Sequence, residues 1–95
     1  MIKIYDAKKN LMKEYDSRFL QNSFEKHVFY NASCNEKRKL NRQTIELMID
    51  EHNTMINSKI NQKLGITNEL RTSQTYLIEI SKLFDNTNTL IAERS

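Results

Sequence analysis

Ile45-Glu46-Leu47-Met48-Ile49-Asp50-Glu51-His52-Asn53-Thr54-Met55-Ile56-Asn57-Ser58-Lys59-Ile60-Asn61-Gln62-Lys63-Leu64-Gly65 is the stretch whose periodicity decides how the chain reads. Ile45, Met48, Ile49, His52, Met55, Ile56, Ile60 and Leu64 keep to one stripe for five turns, the i, i+3, i+4 spacing of a helix that buries one face. Gly65, the only glycine, follows at once, where a left-handed residue closes a helix without a Cβ penalty. Upstream, Ser33 with Glu36 three positions on has the spacing of a capping box, so this helix is expected over 34–64. Downstream, Thr67 or Asn68 can cap a third helix over 68–92 that carries Leu70, Leu77, Ile80, Phe84 and Ile91 inward. Before the Asn31–Asn35 break, Asp6 is a good N-cap. Met12, Tyr15, Phe19, Leu20, Phe24 and Val28 then recur at helical spacing, which predicts a first helix over 7–30. Met1–Tyr5, where Ile2 and Ile4 alternate with Lys3, is too short to assign.

With no proline and a single glycine, the chain lacks the residues that usually make the tight turns of sheet proteins. The expected fold is therefore all-α, one helical domain over 1–95, as a three-helix arrangement or a long helical hairpin with coiled-coil-like packing. A continuous coil is the competing form. Positions 49, 56, 63, 70, 77, 84 and 91 lie seven apart and are apolar except for Lys63, so a single helix could pass through Gly65 at a cost of about 1 kcal/mol. The companion column places Lys59 and Ser73 in the seam, which favours a break at the glycine. A domain of 95 residues hides only about 60 to 65% of its unfolded surface, so burial against a protein partner or a second copy is an expected supplement.

Charge is unevenly placed. Residues 1–42 hold ten Lys and Arg against five Asp and Glu, and residues 43–95 hold five against seven, so +5 and −2 make up the net +3. The basic half peaks at Lys37, Arg38, Lys39 and Arg42, a cluster suited to an acidic partner or to phosphate. No apolar run approaches the roughly 18 residues of a membrane span, and no apolar leader follows Met1, so an unprocessed cytoplasmic chain is expected.

Conventional chemistry has few carriers. One cysteine excludes a disulfide framework or a Cys-rich zinc site, and no Gly-rich loop is present to cradle a phosphate. His27 and Cys34 lie seven apart without a second cysteine or a carboxylate at ligand spacing, and Asp50 and Glu51 are adjacent, hence at different angles on a helix. No catalytic site, metal or cofactor is expected. Asn31-Ala32-Ser33 fits the N-glycosylation pattern, but Ser33 is read as a cap. Met48, Met55, Leu77 and Phe84 offer adaptable apolar surface for a partner helix.

Leu64-Gly65-Ile66-Thr67 looks like the turn of a helix-turn-helix, with Arg71, Thr72, Gln74 and Thr75 on the helix that would read DNA; Arg71 stands where that motif wants an apolar residue. Leu77-Ile78-Glu79-Ile80-Ser81-Lys82-Leu83-Phe84 with Asn88-Thr89-Leu90-Ile91 resembles the C-terminal end of the SNARE motif in Golgi Qb SNAREs of the membrin type, over about residues 48–91; the family's central glutamine falls at Ile66. That resemblance implies a coil that assembles with other coils. Ser73-Gln74 after the Gly65 turn resembles the two-helix aspartyl-phosphate phosphatases of sporulating bacteria, though Thr75-Tyr76-Leu77 replaces the Glu-Leu-Asp that continues their signature. The expected function is a non-enzymatic helical protein-interaction module, an apolar helix stripe flanked by the Lys37, Arg38, Lys39 and Arg42 cluster. Alternatives are a small bacterial or phage regulator that occludes its partner, or a helix-turn-helix DNA binder.

Overall fold

A computed structural model describes all 95 residues and corrects the all-α expectation: three helices pack on a four-stranded antiparallel sheet. In chain order these are β1 (Ile2–Tyr5), β2 (Leu11–Tyr15), α1 (Ser17–His27), β3 (Lys37–Leu40), α2 (Arg42–Asn61), α3 (Asn68–Thr87) and β4 (Leu90–Arg94). The sheet order is β2-β1-β4-β3, so the first and last strands are neighbours at its centre. They pair from Ile2 opposite Arg94 to Tyr5 opposite Ile91, and the amide of Ser95 donates to the carbonyl of Met1 at 3.0 Å.

Each misplaced boundary has a local cause. Asp6 does accept backbone amides, as a cap should, but those of Lys8 and Asn10, both at 2.9 Å. It thereby shapes the β1–β2 turn, in which Lys9 takes a left-handed φ of 66°. The expected 7–30 helix begins only at Ser17, where Asp16 caps the amide of Arg18. The Ser33 and Glu36 capping box does not form. Glu36 pairs with Arg38, residues 37–40 are the edge strand β3, and Asn41 caps α2 through the amide of Thr44 at 2.8 Å.

At the other end, α2 stops at Asn61 through a Schellman closure: Leu64 N–H donates to the Lys59 carbonyl at 2.8 Å and Lys63 N–H to that of Ile60 at 3.0 Å. Lys63, not Gly65, supplies the left-handed residue, with φ 59°. Thr67 caps α3 as anticipated, taking the amide of Leu70 at 3.2 Å. That helix ends at Thr87 on left-handed Asn88, and the rest of the expected 68–92 helix is β4.

The coiled-coil seam is dispersed by this division. Of its column, Lys63 lies in the α2–α3 connection and Ile91 on a strand. The α2–α3 pair is an antiparallel hairpin. His52 meets Leu70 near the connection and Arg42 meets Ser81 at the far end, so the two helices run side by side, unlike the crossed pair of a helix-turn-helix.

One face of the sheet is buried. Ile2 and Ile4 of β1, Leu90 and Ala92 of β4, Leu40 of β3 and Tyr15 of β2 meet Leu20, Phe24, Ile45, Met48, Leu77 and Ile80 of the helices in a single core. The stripe of α2 is therefore core where it faces the sheet. Beyond it the hairpin projects, and Met55, Ile60 and Leu64 are exposed there. No helix is long and apolar enough to cross a membrane.

Candidate binding face of the sheet

Side chains alternate across a strand, so the residues between the core positions point the other way. In β1 these are Lys3 and Tyr5, in β4 Ile91 and Glu93, in β3 Lys37 and Lys39, and in β2 Glu14 and Leu11. The registers set Lys3 and Lys37 on either side of Glu93, and Tyr5 and Lys39 on either side of Ile91. Tyr5, Lys9, Lys37, Lys39, Thr89 and Ile91 line an open depression of ≈ 320 Å³, with Ala7 at its end. Its floor is apolar and its rim carries three ammonium groups.

None of the chain's six ion pairs engages Lys3, Lys9, Lys37 or Lys39. Four arginines, by contrast, are committed, to Asp16, Glu36, Asp85 and Glu25. The lysines of this face are thus available. Lys37 Nζ lies 5.0 Å from the centroid of the Tyr5 ring, a cation–π contact worth about 0.5 to 1 kcal/mol at an exposed site. The Tyr5 hydroxyl donates to Glu93 Oε1 at 3.0 Å, which fixes the ring and engages one oxygen of the carboxylate. Burial, then the hydrogen bond to Glu93 and its charge, raise the Tyr5 phenol above its ordinary range, so it stays neutral at physiological pH.

The anticipated partner-binding set comes apart on this framework. Lys37 and Lys39 share the open face. Arg38, between them in sequence, points to the opposite side, where it holds Glu36 and lies 5.6 Å from the Tyr30 ring centroid. Arg42 donates to Ser81 Oγ at 3.1 Å, pairs with Asp85 and covers Phe84, so it joins the helices instead of presenting charge. Met48 and Leu77 are core residues, closed to any partner of the folded chain. Phe84 packs against the core beneath Arg42, and Met55 alone of the apolar four is exposed.

Lys3, Tyr5 and Lys9 complete the face and were not singled out in the sequence. The signal for Lys3 and Tyr5 is the alternation Ile2-Lys3-Ile4-Tyr5, whose two phases are core and open surface; Lys9, in the β1–β2 turn, has none. Of the side chains expected to read DNA on α3, Gln74 donates across the hairpin to Asn53 Oδ1 at 3.3 Å, and exposed Thr75 donates back to the Arg71 carbonyl of its own helix at 3.0 Å.

The two histidines are also occupied. His27 Nε2 and Glu51 Oε2 lie 2.8 Å apart with Lys26 beside them, and the bond to His27 is the main cause of a Glu51 carboxyl held below the usual carboxylate range. His52, buried in α2, lies with Nε2 2.9 Å from the Leu70 carbonyl, which requires that nitrogen to donate. Cys34 is exposed, and no group of three His, Cys, Asp or Glu side chains is placed to hold a metal. A second depression, ≈ 270 Å³ among the three helices, carries both signs, Arg18 and Lys59 against Glu69, and so makes no single electrostatic demand. No family model, curated protein or solved structure matches the chain.

Proposed function

We propose that the chain is a non-enzymatic binding module that seats an anionic partner on the open face of its sheet. The observation that carries this is the gathering of Lys9, Lys37 and Lys39 around Tyr5 and Ile91, with Lys3 further along the same face opposite Glu14 and Glu93 and none of the four ammonium groups in an ion pair. Such a patch raises the local concentration of an acidic partner and speeds its arrival. A binding role is supported by the way the titratable side chains are engaged: His27 with Glu51 and His52 with a backbone carbonyl. A cytoplasmic setting belongs to the same proposal, since a single exposed thiol, Cys34, suits a reducing compartment.

The test compares two double variants of equal charge change on an immobilised polyanion. Lys37→Glu with Lys39→Glu reverses the open face. Lys59→Glu with Lys63→Glu does the same at the α2–α3 connection. The face variant is expected to elute at distinctly lower salt than the parent, and the hairpin variant close to it. Equal losses in both would reduce the effect to net charge and remove the assignment to this face.

A further inference from the structure

Resting on that assignment of the face, we propose that the anionic partner is single-stranded nucleic acid, with one base stacked over Tyr5 and the adjoining phosphates held by Lys9, Lys37 and Lys39. The shape and chemistry of the depression distinguish this ligand from other anions. A carboxylate or an isolated phosphate needs the cationic rim but has no use for an apolar floor. A nucleotide uses both, because its base is a flat apolar plate and its backbone carries the charge.

Tyr5 is equipped for the role. Its hydroxyl is anchored on Glu93 at 3.0 Å, so the ring is already oriented, and the neighbouring floor residue, Ile91, is directly opposite it in register. Lys37 lies over the ring in an exposed cation–π contact that is weaker than stacking of a base on an aromatic ring. An arriving base displaces the ammonium group and releases it toward phosphate. Lys37 and Lys39 project from the same side of β3, roughly 6.6 Å apart along the strand, a step that matches neighbouring phosphates of an extended chain.

Duplex is disfavoured by the same geometry. The bases of a double helix are stacked on one another and closed to Tyr5, while the face presents no protruding helix or ribbon to enter a groove. A few lysines give modest affinity that falls steeply with salt.

Fluorescence anisotropy on the full chain tests this with labelled oligodeoxythymidylate and oligouridylate, against duplex DNA and polyglutamate as competitors, between about 50 and 200 mM salt. Single strands are expected to bind and to be displaced by neither competitor at equal charge. Tyr5→Leu, which keeps an apolar residue in the strand, should weaken binding roughly tenfold or more, whereas Tyr5→Phe should stay near the parent. Lys37→Ala with Lys39→Ala should lower the slope of log affinity against log salt by about 1 to 2. Circular dichroism and melting confirm that each variant is folded. If polyglutamate competes fully and Tyr5→Leu binds like the parent, the nucleic-acid proposal fails while the anion-binding face stands. If the lysine variant changes binding to no polyanion, both fail.

Discussion

Tyr15 carries the clearest chemical burden of any single residue. Its side chain is 2% exposed at the end of β2, its hydroxyl donates to Glu79 Oε1 at 3.0 Å, and its ring lies 4.5 Å from that of Tyr76. Burial first, and then the bond to and charge of Glu79, push the phenol far above its ordinary value. A raised phenol keeps its proton in the folded state at a pH where the unfolded chain has begun to lose it. The stabilisation is therefore whole below about pH 10, the unfolded tyrosine value, and is lost as pH rises beyond it. Denaturant midpoints should fall above that pH, and the fall should be shallower in Tyr15→Phe. At neutral pH the same variant should be less stable by about 1 kcal/mol, since Glu79 loses its donor. Parallel midpoints for both proteins across the alkaline range would show that another group governs the decline.

At the scale of the element, turn chemistry separates what could be read from what could not. The α2 stripe through Ile45, Met48, His52 and Ile56 is buried as its spacing implies, and Thr67 caps α3. The strands were hidden because each is only four or five residues long, and two of them interrupt helical spacing by coincidence: Tyr15 and Ile91 fit both a helix stripe and a strand. β3 reads Lys-Arg-Lys-Leu, a charged sequence with no strand propensity, yet lysine is a common guard on an exposed sheet edge.

Scarce glycine does not mean scarce tight turns in this chain. Five residues other than glycine adopt positive φ, and Asn31, Asn35 and Asn88 are three of them. In a chain with eleven asparagines, this residue makes the turns that glycine makes elsewhere, because its short polar side chain tolerates the left-handed region. Asn88, with φ 58°, closes α3 just before β4. Asn88→Ala should cost about 1 kcal/mol and Asn88→Gly should be close to neutral, measured by chemical denaturation. Equal effects would show that the asparagine side chain, not the backbone angle, is what the position needs.

For the molecule as a whole, β4 is the strand on which the sheet depends. It lies between β1 and β3, and its Leu90 and Ala92 are fully buried. Arg94 adds bonds to Glu25 and to the Ala32 carbonyl at 2.7 Å. Deletion of residues 90–95 should abolish the cooperative transition and the near-ultraviolet signal, leaving helical far-ultraviolet ellipticity in part. A sharp transition retained by the shortened chain would mean that the helices and the β1–β2 hairpin fold without the sheet's centre.

The meeting of β1 with β4 also governs how the chain arrives at this state. Their pairing joins residues some ninety positions apart, and closing a loop of that length costs about 4 kcal/mol of chain entropy before any strand contact repays it. A topology of such distant contacts slows folding relative to helical bundles of the same size. Throughout that delay the Ile2–Tyr5 strand keeps an open hydrogen-bonding edge beside its apolar residues. Another chain's strand can occupy that edge, so the hazard this protein faces is association before completion, and its yield on refolding should fall as concentration rises.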